Sequence, residues 1–176
     1  MTRPGLVLVL GGARSGKSRY AESLCARSGL ERIYVATATA GDAEMAARIE
    51  RHRRERGTSW TTVEEPLALG AALGRWRARE RIVLVECLTL WLTNLLVGEH
   101  PVEPAVDALL AELGQDRGPV VLVSNEVGLG VVPMNALARR FVDDAGRLHQ
   151  RVAALADRVA LLVAGLPLVV KEGRSA

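Results

Sequence analysis

The segment that most restricts how this chain can fold is GGARSGKS, residues 11–18, which meets GxxxxGK[ST] at every fixed position. The run Leu6–Leu10 before it is apolar at successive residues and reads as a buried strand. Ser18–Arg27 after it carries Tyr20 and Leu24 on one side and reads as a helix. A glycine loop between strand and helix is the context in which the motif binds phosphate. Gly11, Gly12 and Gly16 let the backbone curl, so that the amides of Gly11, Gly12, Ala13, Arg14, Ser15, Gly16, Lys17 and Ser18 surround an anion at a helix N-terminus. In this pattern Lys17 reaches the β- and γ-phosphates and Ser18 holds Mg²⁺. The fixed positions would arise by chance on the order of once in a few hundred chains of this length.

Further short runs rich in valine and leucine occur at Ile33–Ala36, Ile82–Val85, Val120–Val123 and Val159–Val163. Being apolar rather than alternating, they predict strands covered on both faces, with helices between most of them. Pro104 sits where a first-turn proline would start a helix carrying Val106, Leu109, Leu110 and Leu113. Asn135 to about Asp157 shows the stripe of a long amphipathic helix. The expected fold is α/β, a P-loop NTPase of RecA-like type with a mostly parallel sheet flanked by helices, and GLPLVVK as a possible C-terminal edge strand. One domain over residues 1–176 is expected, with VGEHPVEP, after Leu95, as its exposed loop.

Composition narrows the class. Only two cysteines are present, Cys25 and Cys87, with no CxxC pair, which excludes a disulfide scaffold or zinc ribbon and suits a reducing, cytoplasmic compartment. No stretch of eighteen apolar residues predicts a membrane span, and the run after Arg3 is too short for a signal peptide. Of the 23 basic side chains only Lys17 and Lys171 are lysines. With aromatic platforms scarce, the arginine bias does not argue for nucleic acid, and Lys17 stands out as a compact point charge.

Two more regions carry candidate chemistry. Glu86 follows the strand IVLV, where P-loop enzymes place an acidic residue near the metal; an exposed glutamate ending a strand is the alternative. GDAEMAARIERHRRERG reads as a helix from Asp42 to Gly57 with Met45, Ile49 and His52 on one stripe and Arg48 and Arg56 one turn either side of His52. Arginines so placed keep an imidazole neutral and grip phosphate oxygens. A solvated helix balanced by Glu50 and Glu55 fits the same pattern.

GGARSGKSRYAE, YVAT, EMAARIERHR, WTTVEEP, VECLTLWLTNLL and SNEVGLGVVP followed by RRFVDDAGRLHQ, in that order along nearly the whole chain, resemble the bifunctional adenosylcobinamide kinase/adenosylcobinamide-phosphate guanylyltransferase family of cobalamin synthesis. The resemblance implies phosphorylation of adenosylcobinamide by ATP or GTP, then transfer of GMP from GTP through a guanylylated histidine to give adenosyl-GDP-cobinamide. His52 matches that histidine. The implied nucleotide contacts are Gly11 through Ser18, Ala36, Thr37, Ala38, Arg53, Arg54, Glu55, Arg56, Glu64 and Glu86, with Ser18 and Glu86 at Mg²⁺ and His52 and Lys17 catalytic. The resemblance also implies a homotrimer. Where some members carry two adjacent histidines this chain has Arg51-His52, and an asparagine often found late in the long helix is His149 here, read as a surface or interface residue. His100 reads as incidental. The rival readings are a monofunctional P-loop small-molecule kinase, with the arginine helix as a phosphate-gripping lid, and a RecA-like ATPase module working through nucleic acid or a protein partner.

Overall fold

Valine-rich runs with no polar face need cover on both sides, and the fold supplies it. In the computed structural model, which describes residues 5–39, 47, 54 and 59–173, the strands are β1 (Leu6–Gly11), β2 (Glu31–Ala36), β3 (Thr61–Glu64), β4 (Arg81–Glu86), β5 (Val120–Asn125), β6 (Arg158–Val163) and β7 (Leu166–Glu172). They form one sheet in the order β3-β2-β4-β5-β1-β6-β7. Every pairing is parallel except that of β6 with β7. Alternate side chains enter two cores. Leu6, Leu8, Ile33, Val35, Val83, Val85, Val120 and Leu122 pack against one helical layer, and Val7, Val9, Ile82, Leu84, Val121 and Val123 pack on the other face.

The second face meets Ala21 and Cys25 of α1 (Lys17–Arg27). The first is covered by α2 (Leu69–Trp76), α3 (Leu88–Val97), α4 (Val102–Leu113) and α5 (Ala136–Leu155). Helix α3 buries Leu88, Trp91, Leu92, Leu95 and Leu96. Its Trp91 indole N–H donates to the Leu67 carbonyl at 2.8 Å, so the buried ring leaves no orphan donor. Helix α5 starts at Asn135, whose side chain accepts from the amides of Leu137 (2.8 Å) and Ala138 (3.2 Å). Its inner stripe is Ala145, Leu148 and Val152.

The structure redraws some boundaries. The expected loop VGEHPVEP is half helical: α3 runs to Val97 and Val102 opens α4 as a buried residue, leaving 98–101 as the turn. Pro104 lies in the first turn but does not start α4, which begins two residues earlier after Pro101. The GLPLVVK tail is an edge strand, antiparallel to β6, with Pro167 near its start. The arginine-rich helix expected from Asp42 to Gly57 lies outside the described residues except for Ala47 and Arg54, both helical and exposed.

The two ends of the sheet carry different polar groups. At the N-terminal ends of the strands, Arg77 is 9% exposed and donates to the carbonyls of Glu112, Gln115 (2.9 Å) and Gly118 (3.0 Å) while pairing with the Glu112 carboxylate at 3.5 Å. A cavity of about 610 Å³ beside it is lined by Gly5, Arg79, Asp116 and Asp157 among others. At the C-terminal ends, Ala36 stands in register with both Glu64 and Glu86, and Gly11 with both Asn125 and Leu162.

Candidate phosphate-binding site

Strand β1 ends in Gly11, and the chain turns through residues 12–16 into α1 at Lys17. A Cβ on Gly11 would lie 2.6 Å from the Leu162 carbonyl oxygen, so no other residue fits at this strand end. Gly16 has φ 93°, in the left-handed region that glycine enters without steric cost. Arg14, at the exposed apex, holds φ 54° with a side chain attached, a small strain within the loop. No side chain caps α1, so its first-turn amides face whatever the loop encloses.

Lys17 is 7% exposed, and its Nζ donates to the Gly12 carbonyl at 2.6 Å, which folds the cation over the loop. Ser15 is 8% exposed, and its Oγ is buried without a hydrogen-bond partner among the described residues. A buried hydroxyl with no acceptor is costly unless a ligand completes it, and phosphate oxygen does so. Two neighbours hold the loop: the Gly165 amide, in the β6–β7 turn, donates to the Ser15 carbonyl at 2.9 Å, and the Glu126 amide donates to the Gly11 carbonyl at 2.9 Å.

Ser18 Oγ donates to Glu86 Oε1 at 2.7 Å, bringing together the two residues expected at the metal. Glu86 is half-buried rather than a solvated strand end. Thr37 is fully buried, and each of its polar atoms is engaged. Its amide donates to the Glu86 carbonyl (3.1 Å), its hydroxyl meets the Cys87 amide and carbonyl (both 2.8 Å), and its carbonyl accepts from Asn94 Nδ2 (2.7 Å). Thr37 therefore braces the backbone behind Glu86. Ala36 and Ala38 are partly exposed on the same edge, and Glu64 is exposed at the end of β3. Arg54 is exposed; His52, Arg53, Glu55 and Arg56 lie outside the described residues.

The sequence reading passed over the polar groups at the end of β5. Asn125 Nδ2 donates to Thr89 Oγ1 at 2.9 Å, and Thr89 Oγ1 lies 2.9 Å from Cys87 Sγ. The signal was present: SNE follows VVLV just as Glu86 follows IVLV. His149 is also not the surface residue expected. It is 7% exposed, with Nε2 2.7 Å from Ser124 Oγ. Burial lowers its pKa, with the charge of Glu126 opposing. Burial raises the Cys87 thiol, assisted by Glu86, and pushes Cys25 up to about 12, so neither is a thiolate nucleophile at neutral pH.

The donors suit a nucleotide with a hard cation. Ser18 and Glu86 present oxygen atoms 2.7 Å apart, and the described residues contain no group of three or more His, Cys, Asp or Glu that could hold a metal ion. Such a site is completed by phosphate oxygens and water, as Mg²⁺ sites are. No described helix is long and apolar enough to cross a membrane.

Comparison with known proteins agrees with this geometry. The family described as cobinamide kinase / cobinamide phosphate guanyltransferase matches residues 7–170. The bifunctional adenosylcobalamin biosynthesis protein CobP of Pseudomonas aeruginosa is 55% identical over 166 residues, covering 93% of this chain and 96% of that protein. The Escherichia coli protein CobU, also described as bifunctional, is 41% identical over 181 residues, covering 94% and 99%. Among solved structures, the flagellar accessory protein FlaH of Methanocaldococcus jannaschii superposes with a TM-score of 0.56 at 10% identity over 97% of this chain and 80% of its own, a likeness of fold. With the P-loop fold in place and two relatives matched along nearly their whole length, the chain belongs to the cobinamide kinase / cobinamide phosphate guanyltransferase family.

Proposed function

We propose that a single nucleotide site, the loop Gly11–Ser18 with Glu86, serves both reactions of the family on adenosylcobinamide and its phosphate, and that His52 carries the guanylyl group between the two substrates of the second. The observation behind the shared site is the 2.7 Å contact of Ser18 with Glu86 beside the buried Lys17.

In the kinase step the acceptor hydroxyl oxygen bonds to the γ-phosphorus of ATP or GTP, the bond to the bridging oxygen breaks, and a nucleoside diphosphate leaves. In the second reaction an imidazole nitrogen of His52 bonds to the α-phosphorus of GTP and pyrophosphate leaves. An oxygen of the cobinamide phosphate then bonds to the same phosphorus, and the N–P bond breaks. Each displacement builds negative charge on phosphate oxygens, which Lys17 and the loop amides meet without reorganising. Mg²⁺ held by Ser18 and Glu86 would neutralise charge on the bound phosphates. Ala36, Ala38, Glu64 and Arg53 through Arg56 complete the nucleotide contacts in this reading.

His52 is assigned as the nucleophile from the family resemblance, and the other histidines and the cysteines suit the role less well. His149 is buried against Ser124, His100 is exposed in the turn after α3, and both cysteines are held neutral by burial. A homotrimer fits Leu166, Leu168 and Val170 of edge strand β7, which are 72%, 59% and 64% exposed, and a cytoplasmic location fits the free Cys25 and Cys87. The test is incubation with labelled GTP. Wild-type protein is expected to gain an acid-labile, base-stable label that His52→Ala lacks, while His52→Ala still phosphorylates adenosylcobinamide. Label persisting in His52→Ala, or mapped by mass spectrometry to another residue, removes His52 from the mechanism.

A further inference from the structure

The sheet order fixes where phosphoryl transfer takes place. Strand β5 lies between β1, which delivers the phosphate loop, and β4, which delivers Glu86. Ser18, which follows the β1 loop, therefore meets Glu86 of β4 with β5 lying between those two strands. The first residue after β5 borders the phosphate loop, the Glu126 amide donating to the Gly11 carbonyl at 2.9 Å.

What leaves β5 is an unusual loop. Within six residues it exposes Leu129 (84%), Val131 (96%), Val132 (73%) and Met134 (96%). Such a patch is out of place on a solvated surface unless something covers it. The acceptor of this family is cobinamide, an alcohol borne by a broad corrin macrocycle whose rim carries methyl groups between its amide side chains. The narrow loop 11–18 admits phosphates and not a ring of that size. The ring must rest outside it, on the side from which the hydroxyl meets the phosphate.

We propose that Leu129, Val131, Val132 and Met134 form the ledge on which the corrin ring of the acceptor docks. The inference rests on the shared phosphate site proposed above, because that site sets the direction of approach. The exposed strip on β7 is a separate surface, on the far edge strand of the sheet, and is the one assigned above to subunit contact.

The test combines Leu129→Ser, Val131→Ser, Val132→Ser and Met134→Ser in one protein. All four side chains are solvent-exposed, so the fold is expected to persist, which circular dichroism checks. The control is Leu168→Ser with Val170→Ser on β7, two positions or more beyond the turn that holds the phosphate loop. Cobinamide binding is followed by equilibrium dialysis using corrin absorbance, nucleotide binding with a fluorescent GTP analogue, and assembly by sedimentation velocity. The loop variant is expected to bind cobinamide at least tenfold more weakly, with GTP-analogue affinity and sedimentation coefficient unchanged, while the β7 variant keeps cobinamide affinity. Cobinamide affinity within twofold of wild type would overturn the proposal. So would a fall in sedimentation coefficient on changing the loop, which would give that surface to a second copy of the chain. Absence of a His52 adduct would overturn the guanylyl carrier and leave this result standing.

Discussion

Arg77 and Lys17 are both buried cations, one at each end of the sheet, and their surroundings differ in kind. Arg77 is enclosed by carbonyls of Glu112, Gln115 and Gly118 and by the Glu112 carboxylate, and burial lowers its pKa against the charge of Glu112. Its donors close the end of α4 and the turn into β5. Lys17 lies over a loop of uncapped amides, next to a Ser15 hydroxyl that lacks a partner among the described residues. Surroundings made of saturated acceptors mark a group that builds the fold. Surroundings that set further donors beside the cation, as the uncapped amides and the Ser15 hydroxyl do here, mark one placed to meet an anion. A cavity by itself is no guide to function here, since one of about 610 Å³ lies at the Arg77 end, away from the phosphate loop.

This contrast can be broken by exchanging the consequences of two substitutions. Lys17→Ala is expected to lower both phosphoryl and guanylyl transfer by at least about 100-fold and to leave the unfolding midpoint in denaturant nearly unchanged. Guanylyl transfer at wild-type rate in a folded Lys17→Ala protein would separate the two activities into different sites. Arg77→Leu is expected to do the opposite. It takes the shared donor from the part-buried carbonyls of Glu112, Gln115 and Gly118 and leaves Glu112 with Arg117 alone, costing about 2 kcal/mol in urea unfolding, while activity per folded molecule stays at wild type. A loss of turnover with unchanged stability would place Arg77 in the working site.

His149 sharpens the contrast, because it is a buried titratable group at the catalytic end that makes a structural bond to Ser124. Its folded pKa is lowered from 6.5, chiefly by burial. The unfolded chain therefore takes up the proton first as pH falls. Stability on this account is full above about pH 6.5 and declines as pH drops from there through the lowered folded value, by at most about 1.4 kcal/mol per pH unit. His149→Gln should remove that dependence, as read from urea midpoints between pH 7.5 and 5. Parallel wild-type and variant curves would show that the ring does not stay neutral.

The parts of this molecule legible in the sequence are those fixed by local rules. The phosphate loop, the five buried strands and the long α5 each declare themselves through spacing or through apolar runs. Strand β3 was missed because TTVE is short and half polar, and α3 because it is apolar nearly all round and shows no stripe. What the sequence did not disclose at the site, the residue Asn125 and the bracing role of Thr37, depends on which strands are neighbours. Asn125 matters because β5 lies between β1 and β4, and Thr37 braces Glu86 because β2 lies beside β4. His149 was misplaced because its partner, Ser124, is 25 residues away. Helical periodicity does not report which polar group faces inward.

The Gly165 amide that holds the Ser15 carbonyl has a consequence for how the protein is made. The phosphate loop precedes in the sequence both its sheet neighbours, β5 and β6, and the turn that fastens it, with β2, β3, β4 and the helices α1–α4 made in between. Closing so long a chain segment carries an entropy cost that only the late contacts repay. A nascent chain that stops short of the β6–β7 turn therefore has a nucleotide motif but no fastened nucleotide site. The motif is made early relative to its supports, and the site it belongs to forms only when β5, β6 and the turn after them have been made.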